Sequence, residues 1–346
     1  MFEAIGRFFV GFGQTVARLA VVFWSILKTP ILYEQMLGSA TPVALAALGG
    51  LLTEHAGIMN IGMDGMILMG AFVAATASFY LKSAALGVAA VIVFGMLVGL
   101  FFALFVVKLR SDEFIIGCAL NTLALGLTTV LCDAIFHSSS TSAFAVPSVP
   151  MVSIPLIKDI PFIGVAIGKH SLFTYLTILL AVLMWFFVYR TPMGFWIRAA
   201  GESPETLRTA GKNPERMKWI ASVLCGVFCA LAGAHLSLGN LDGVFSENMV
   251  NERGYIAFAC VIFAAANPAK AYLAALMFGF FEAFGMQLDV HLPELEGIIN
   301  TKLPYAELNK AIPYLITIIM MIYVVVSGQR RRERIAKQQL QLHETK

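Results

Sequence analysis

Hydrogen-bonding side chains interrupt a strongly apolar stretch of the sequence, LLTEHAGIMNIGMDGMILMGAF, at residues 51–72. The first apolar helix is predicted to end near His55, because Gly57 can take the left-handed conformation that stops a helix. Asn60 is placed to cap the helix that follows, and Asp64 falls in its first turn, near the positive end of the helix dipole. The spacing therefore predicts two helices with a break between them.

Other polar side chains lie in the middle of apolar runs, where they are costly in lipid. Asn121 and Thr122 occupy the centre of IIGCALNTLALGL, and Glu282 follows Phe281 in a later run. Such residues either line a polar pathway or hydrogen-bond and pack between helices, and an aromatic ring can also stack on a base or a sugar. The candidate pathway residues are Asn121, Asn60, Asp64, Thr122, Phe281 and Glu282.

The sequence offers no reactive constellation for catalysis. It contains no H-E-x-x-H pattern, and TAGKN fails as a phosphate-binding loop because Thr206 and Asn213 replace the required glycine and hydroxyl residue. Cys225 and Cys229, one helical turn apart, are interpreted as small packing residues rather than as a metal or redox pair. We expect no catalytic residue, metal or cofactor in this chain; if ATP drives the protein, another chain binds it.

The composition places these residues in a membrane. Of the 346 residues, 59% are hydrophobic and 13% are charged, against roughly 25% charged residues in a soluble domain. Apolar runs near 20 residues recur, and ~20 helical residues span the hydrocarbon core. We predict an all-α polytopic membrane protein with nine or ten membrane helices. The predicted spans are 36–53, 62–81, 85–107, 113–133, 172–189, 219–239, 254–266, 271–288 and 311–327.

Two of the apolar segments are exceptional. Residues 11–33 form either a tenth span or an amphipathic helix on the membrane surface. Residues 254–266 are short for a full crossing, and we expect a partial or broken helix there.

Lysine and arginine near the span ends predict the orientation of the chain. The turn 108–112, the segment 190–218 and the tail 329–346 are basic, whereas the connections 134–171 and 289–310 hold few basic residues. We therefore expect the basic segments, including the C-terminus, to face the cytoplasm. The tail is interpreted as contacting anionic lipid rather than nucleic acid.

The stretch RAAGESPETLRTAGKNPERMK, residues 198–218, is the most structured polar part of the sequence. Ser203 and Asn213 each precede a proline, which is the pattern of an N-cap followed by the first helical residue. Gly211 is suited to stop a helix. We predict a short surface helix over 204–210, rigidly joined to the next span. It is either an amphipathic connector or a docking element for a cytoplasmic partner, and the density of caps favours docking.

Four blocks of the sequence resemble the permease subunits of bacterial ABC importers. The resemblance is to the nucleoside and simple-sugar branch, related to ribose and branched-chain amino-acid permeases. The blocks are, in the order of that family, TPVALAALGGLLTEHAGIMNIGMDGMILMGAF, IIGCALNTLALGL, RAAGESPETLRTAGKNPERMK and RGYIAFACVIFAAANPAKA. The resemblance covers roughly residues 36–328. It leaves 1–35 as an N-terminal surface or first membrane helix and 329–346 as a basic tail.

This resemblance implies an ABC importer permease fold in the bacterial inner membrane and a non-catalytic chain that translocates nucleosides by alternating access. It implies three partners: a second homologous permease chain in a heterodimer, a cytoplasmic ATP-binding subunit that holds ATP and Mg, and an extracytoplasmic substrate-binding protein or lipoprotein. Residues 198–216 would form the coupling segment. The coupling role of the family maps onto Glu202, Ser203, Pro204, Glu205, Thr206, Leu207 and Gly211. Lys212 and Asn213 depart from the family, which usually has a more apolar residue there.

Three alternatives stay open at this point. The substrate of an ATP-driven permease could be a sugar or a branched-chain amino acid. An ion-coupled secondary transporter also has broken helices at mid-membrane, and a membrane-embedded enzyme would need a reactive constellation. The shortage of lysine and arginine within the spans argues against a phosphorylated substrate, but it does not separate nucleosides from sugars.

Overall fold

The computed structural model describes residues 21–137, 146–153, 162–239 and 243–291. The predicted span 311–327, the basic tail 329–346 and most of the doubtful segment 11–33 lie outside the described residues. Residues 21–28 are helical. The helices that follow are α1 (Pro30–His55), α2 (Met63–Leu81), α3 (Ala84–Ala103), α4 (Glu113–Phe136), α5 (Ile163–Ile167), α6 (Leu172–Arg190), α7 (Pro192–Glu202), α8 (Pro204–Thr209), α9 (Pro214–Leu238), α10 (Arg253–Phe263) and α11 (Pro268–Val290).

Within the described ranges, seven helices are long and apolar enough to cross a membrane. They are α1, α2, α3 with its π-helical extension Leu104–Lys108, α4, α6, α9 and α11. This confirms the all-α polytopic architecture. The predicted partial helix is α10, whose 11 residues rise about 16 Å, half of the ~30 Å hydrocarbon core. A small antiparallel sheet, which the sequence analysis did not predict, pairs β1 (Met151–Ser153) with β2 (Lys169–Ser171).

Side-chain caps fix where several of these helices begin. Asp112 accepts hydrogen bonds from the backbone N–H groups of Phe114 and Ile115, both at 3.0 Å, at the start of α4. Asn213 and Asn267 do the same for α9 and α11, each followed by a proline at the first helical position. These local signals set the helix boundaries around the site.

Helix α9 lies at the centre of the bundle and packs against α1, α2 and α3. Glycines let the backbones touch: a Cβ on Gly95 would lie 2.7 Å from the carbonyl oxygen of Gly226, and one on Gly99 2.7 Å from the Cα of Val223. Small residues one helical turn apart, as at Gly95 and Gly99, are typical of such close helix packing. Because these glycines bring the two backbones into contact, α3 and α9 form a tightly packed unit.

The two described basic segments lie on one face of the bundle. Arg110 of the turn 108–112, Arg208 of α8 and Lys218 of α9 line the same pocket, which has a volume of about 510 Å³. We call this side the basic face. The small sheet and the start of α1 lie on the opposite face, where Gln287 of α11 donates a hydrogen bond to Gln35 at 2.8 Å.

Candidate functional site

The break between α1 and α2 forms as the glycine pattern predicted. Helix α1 ends at His55, and Gly57 has a φ of +71°, the left-handed conformation. The N–H of Gly57 bonds to the carbonyl of Glu54 at 3.0 Å, and that of Ile58 bonds to the carbonyl of Thr53 at 2.9 Å. These bonds satisfy the carbonyls at the end of α1, so the chain turns without leaving them exposed.

Asn60 lies in the break and is only 2% exposed. Its Oδ1 accepts the N–H of Gly62 at 3.0 Å, and its Nδ2 donates to the Sγ of Cys225 at 3.3 Å. The N-cap residue of α2 is Gly62 and not Asn60. No side chain at the N-cap position hydrogen-bonds to the start of the helix. The prediction that Asn60 caps α2 is therefore wrong, because its amide is used to shape the turn that precedes the helix.

Asn121 of α4 caps α2 from a different helix. Its Oδ1 accepts the N–H of Gly65, in the first turn of α2, at 2.8 Å. Its Nδ2 donates to the carbonyl of Ile61 at 3.1 Å and to the hydroxyl of Tyr255 at 2.9 Å. A Cβ on Gly65 would lie 2.8 Å from the carbonyl oxygen of Leu120, so this glycine lets α2 and α4 approach closely.

Asp64 of α2 in turn caps α10. Its Oδ1 accepts the N–H of Gly254 at 2.9 Å, and a Cβ on Gly254 would collide with the backbone of Asp64. The residue before α10, Glu252, makes no side-chain cap of its own. The start of the short helix therefore depends on a carboxylate from another helix, which is also well placed to interact with the positive end of the dipole.

Arg253 ties the same point of α10 to α11. One guanidinium nitrogen donates to the carboxylate of Glu282, and the other donates to the carbonyls of Met249 and Val250 at 3.1 and 3.3 Å. The two side chains of the ion pair are 15% and 22% exposed. Three consecutive residues, 253–255, thus anchor the start of α10 to α11, α2 and α4.

The start of α10, where these contacts meet, lies well below the basic face. Asn121 is eight residues into α4, which places it about 12 Å along that helix. The segment 243–252, which leads into α10, contains no α-helix or extended strand. Non-helical backbone at membrane depth occurs where it is buried in protein or lines a wet cavity.

A line of exposed and half-buried polar side chains lies where this segment meets α4. Tyr255 is 42% exposed, and Glu247 is exposed and accepts a hydrogen bond from the hydroxyl of Thr129 at 2.9 Å. Asn121 and Thr129 are eight residues apart on α4, or about 12 Å. We call this line, made of Asn121, Thr129, Glu247 and Tyr255, the polar seam. Asn248, Asn251 and Glu252 beside it are also exposed.

The structure therefore brings together three of the six predicted pathway residues, Asn121, Asp64 and Glu282, around the start of α10. Thr122 is exposed and donates to the carbonyl of Cys118 in its own helix at 3.1 Å. Phe281 is half-buried, with its ring centroid 5.4 Å from that of Phe280. Neither residue joins the hydrogen-bond network.

Sequence reasoning missed three residues of the site: Arg253, Glu247 and Tyr255. The expectation of few basic side chains at membrane depth did not anticipate Arg253, which is neutralised there by Glu282. A usable signal was present, because RGY stands at the very start of the span that was too short to cross. A cation at the start of a partial helix calls for an acidic partner in a neighbouring span.

The predicted surface segment folds as two short helices, α7 and α8, joined to α9. Helix α8 ends at Thr209, and Gly211 takes a φ of +76° as the helix stop. Ser203 occupies the N-cap position of α8, but its hydroxyl bonds to the hydroxyl of Thr206 at 2.6 Å instead of capping the backbone. Asn213 caps α9 through the N–H of Glu215 at 2.9 Å, as predicted.

The predicted coupling residues differ in exposure. Leu207 is 3% exposed and fixes α8 to the bundle, whereas Glu202, Ser203, Glu205, Thr206 and Gly211 are exposed on the basic face. Pro204 is half-buried and lines the 510 Å³ pocket.

Helix α7 touches the break directly. A Cβ on Gly201 would lie 2.7 Å from the backbone nitrogen of Gly57 and would collide with the carbonyl oxygen of His55. A Cβ on Gly57 would in turn lie 3.1 Å from the Cα of Gly201. The surface segment and the break that leads to α2 are therefore in backbone-to-backbone contact.

The two neighbouring cysteines are buried among the helices. The Sγ atoms of Cys225 and Cys229 are 4.0 Å apart, and both thiols are free. Within the described ranges, no group of three or more His, Cys, Asp or Glu side chains is arranged to hold a metal ion.

Comparison with known proteins decides the family. Residues 32–325 match the family described as the permease component of the branched-chain amino acid transport system, a range that contains the break, the polar seam and α7–α9. The chain belongs to this permease family. It is the membrane-spanning permease subunit of an ABC transporter, and its helical bundle is the transport component.

Three relatives are similar over most of the permease. The putative glucose ABC transporter permease TsgC13 of Haloferax volcanii is 31% identical over 88% of this chain and 94% of its own length. The guanosine ABC transporter permease NupQ of Bacillus subtilis is 32% identical over 82% and 88%. The nucleoside ABC transporter permease NupC of Lactococcus lactis is 30% identical over 84% and 91%. No solved structure matches the chain.

Proposed function

We propose that this permease translocates nucleosides along the polar seam, by alternating access coupled to a separate ATPase. The observation that carries the proposal is the exposure of Tyr255 and Glu247 at membrane depth, beside non-helical backbone. Lipid does not cover such groups, so a wet pathway is the arrangement that suits them. Two relatives named for guanosine and nucleoside transport support this choice of substrate.

The chemistry of the seam suits a neutral molecule rich in hydrogen-bonding groups. Its polar groups are an amide, a hydroxyl, a phenol and a carboxylate, and the nearby charge of Arg253 is balanced by Glu282. Nucleosides combine hydroxyl groups with a flat base that an aromatic ring can stack on. A sugar shares the hydroxyls but not the base. It is the alternative substrate, with a relative named for glucose in its favour.

The seam is open on one side, so the pathway needs a second wall. We assign that wall to a second, homologous permease chain in a heterodimer, which would cover the exposed face of α4 beside Tyr255. An extracytoplasmic substrate-binding protein or lipoprotein would deliver the nucleoside at the opposite face. We place the basic face on the cytoplasmic side of a bacterial inner membrane. The C-terminus would then be cytoplasmic as well.

The basic face is where we place the ATP-binding subunit. Helix α8 presents Glu205 and Arg208 to solvent, while Leu207 on its inner side anchors it to the bundle. A short helix held in this way transmits force better than a loose loop. ATP and Mg would be bound by that partner, and this chain would need no metal or cofactor of its own.

The test is uptake by cells that express the permease together with its partner permease, ATPase and binding protein. Labelled guanosine, glucose and leucine would be compared, with a hydrolysis-deficient ATPase and with a protonophore that leaves ATP intact. We expect guanosine uptake that needs ATP hydrolysis and survives the protonophore. Uptake of glucose or leucine alone would contradict the substrate, and uptake that collapses with the ion gradient while ATP remains would indicate a secondary transporter.

A further inference from the structure

Both N–H donors of the Asn121 amide are occupied by the protein. Both N–H bonds are used, toward the carbonyl of Ile61 at 3.1 Å and the hydroxyl of Tyr255 at 2.9 Å, and the oxygen accepts the N–H of Gly65 at 2.8 Å. An amide with both donors committed has little left to offer a substrate. Asn121 is therefore suited to orient Tyr255 and not to donate a hydrogen bond to a substrate.

Unlike the amide of Asn121, Tyr255 keeps groups that are free to contact a substrate. Its backbone is fixed by the protein, whereas its side chain is partly exposed. Its N–H bonds to the carbonyl of Glu252 at 3.0 Å, and the preceding residue, Gly254, is tied to Asp64. Its hydroxyl accepts from Asn121, its one hydrogen-bond partner among the described residues, so the phenolic proton remains available for donation. The residue is 42% exposed on the polar seam, about 12 Å below the basic face.

We propose that Tyr255 contacts the nucleoside and determines specificity, and that Asn121 is the positioning residue that orients it. The inference rests on the proposed function and names the group that recognises the base. The ring stacks on the flat face of the base, and the hydroxyl donates a hydrogen bond to an acceptor on the base edge. Guanine offers such acceptors at O6 and N7.

Removing the hydroxyl and removing the ring separate the two contributions. In the reconstituted transport complex, Tyr255→Phe should raise the KM for guanosine about fivefold to tenfold with little change in kcat, as expected for one lost hydrogen bond. Tyr255→Leu should raise it further because stacking is also lost. Tyr80→Phe is the matched control, since Tyr80 is 63% exposed near the far end of α2, away from the seam.

Substrate analogues identify the acceptor. The two analogues are 2-aminopurine riboside, which lacks O6, and 7-deazaguanosine, which lacks N7. The unaltered complex should already show a raised KM for the analogue that lacks the true acceptor. Tyr255→Phe should then make no further difference for the analogue that lacks the true acceptor. Asn121→Leu should raise the KM for guanosine at least as much as Tyr255→Phe does, and it should also lower the maximal uptake because the cap of α2 is lost. Its KM for the analogue that lacks the acceptor should equal that of the unaltered complex, which a purely structural defect would not reproduce.

A second measurement does not depend on transport. The thiol introduced by Tyr255→Cys should react with a water-soluble maleimide, and guanosine should slow that reaction. Normal guanosine uptake with an unchanged KM in both Tyr255→Phe and Tyr255→Leu, or labelling that guanosine does not affect, would overturn the role of Tyr255. Failure of the unaltered complex to take up any nucleoside would instead overturn the proposed substrate, and the base-stacking role with it.

Discussion

Asp64, in the first turn of α2, caps the first turn of α10, with its Oδ1 2.9 Å from the backbone nitrogen of Gly254. Helix α2 has no side-chain cap of its own and is capped by Asn121. Two helices that start in the interior of the bundle are thus closed by side chains from their neighbours. This arrangement satisfies backbone N–H groups where water is scarce, and it makes the positions of α2, α4 and α10 depend on one another.

Replacing Asp64 by leucine removes the acceptor for the N–H of Gly254. We expect Asp64→Leu to lower the free energy of unfolding by about 1 kcal/mol or more, the usual cost of a lost cap, and to abolish most uptake. Asp64→Asn keeps an acceptor oxygen at nearly the same place and should retain most of both. Thermal unfolding in detergent and guanosine uptake measure the two effects. Equal behaviour of the two variants would contradict the capping role.

Because Arg253 and Glu282 form an ion pair, the effects of substituting them on the free energy of unfolding should depend strongly on each other. Arg253→Met or Glu282→Gln alone leaves one partly buried charge without its partner. Because both side chains keep some exposure, we expect each to cost about 1–3 kcal/mol, less than a fully buried pair.

The double variant should be more stable than the sum of the two single losses predicts, since neither charge is then left alone. Additive losses in thermal unfolding would show that the two groups do not interact. Transport by the double variant measures separately whether the pair is needed for the pathway.

Because Gly201 of α7 contacts Gly57 of the break, a substitution at Gly201 should uncouple ATP hydrolysis from uptake. An added Cβ at position 201 would strike the backbone at His55 and Gly57. Alanine is the better helix former by about 1 kcal/mol, so a defect cannot come from the helix itself. We expect Gly201→Ala to keep ATP hydrolysis by the assembled complex while uptake falls at least tenfold.

Gly126→Ala is the control for this experiment, because a Cβ at that position meets nothing within 4 Å. Movement of the break can be followed with a fluorophore on Met59→Cys, a residue that is 44% exposed. Its emission should respond to ATP in the complex and not when Gly201→Ala is added. Coupled transport at the normal rate in Gly201→Ala would rule out this contact as a route of transmission.

Charge reversal on α8 should affect coupling without affecting stability. The ion pair between Glu205 and Arg208 is exposed, and such pairs contribute no more than about 1 kcal/mol. Glu205→Arg should therefore unfold at nearly the same temperature as the unaltered permease but lose ATP-driven uptake. Lys82→Glu, an exposed charge reversal at the far end of α2, is the control. Normal uptake by Glu205→Arg would exclude a docking role for this side chain.

Local signals in the sequence predicted much of the fold. The long apolar runs gave the seven long helices, and the glycine at position 57 and the asparagine at position 213 marked a helix end and a helix start. Each of these features depends on residues within one or two helical turns of each other. Composition and short-range pattern are sufficient for them.

The site depends on contacts between distant parts of the chain. Asn121 caps a helix 56 residues away, and Asp64 caps one 190 residues away. A polar residue in an apolar run indicates that a partner exists, but not which one. For Asn60 the signal was misleading, since its amide has the right type and nearly the right position for a cap but hydrogen-bonds within the turn.

The three anchors of α10 also constrain how the chain is synthesised and inserted. Helix α10 is too short to cross by itself, and an arginine in a membrane segment costs about 2.5–3.5 kcal/mol during insertion. Translation delivers Asp64 and Asn121 before Arg253 emerges, but Glu282 only afterwards. The segment 243–263 is therefore expected to reach its final depth late in biogenesis, once α11 has left the ribosome and supplied the missing carboxylate.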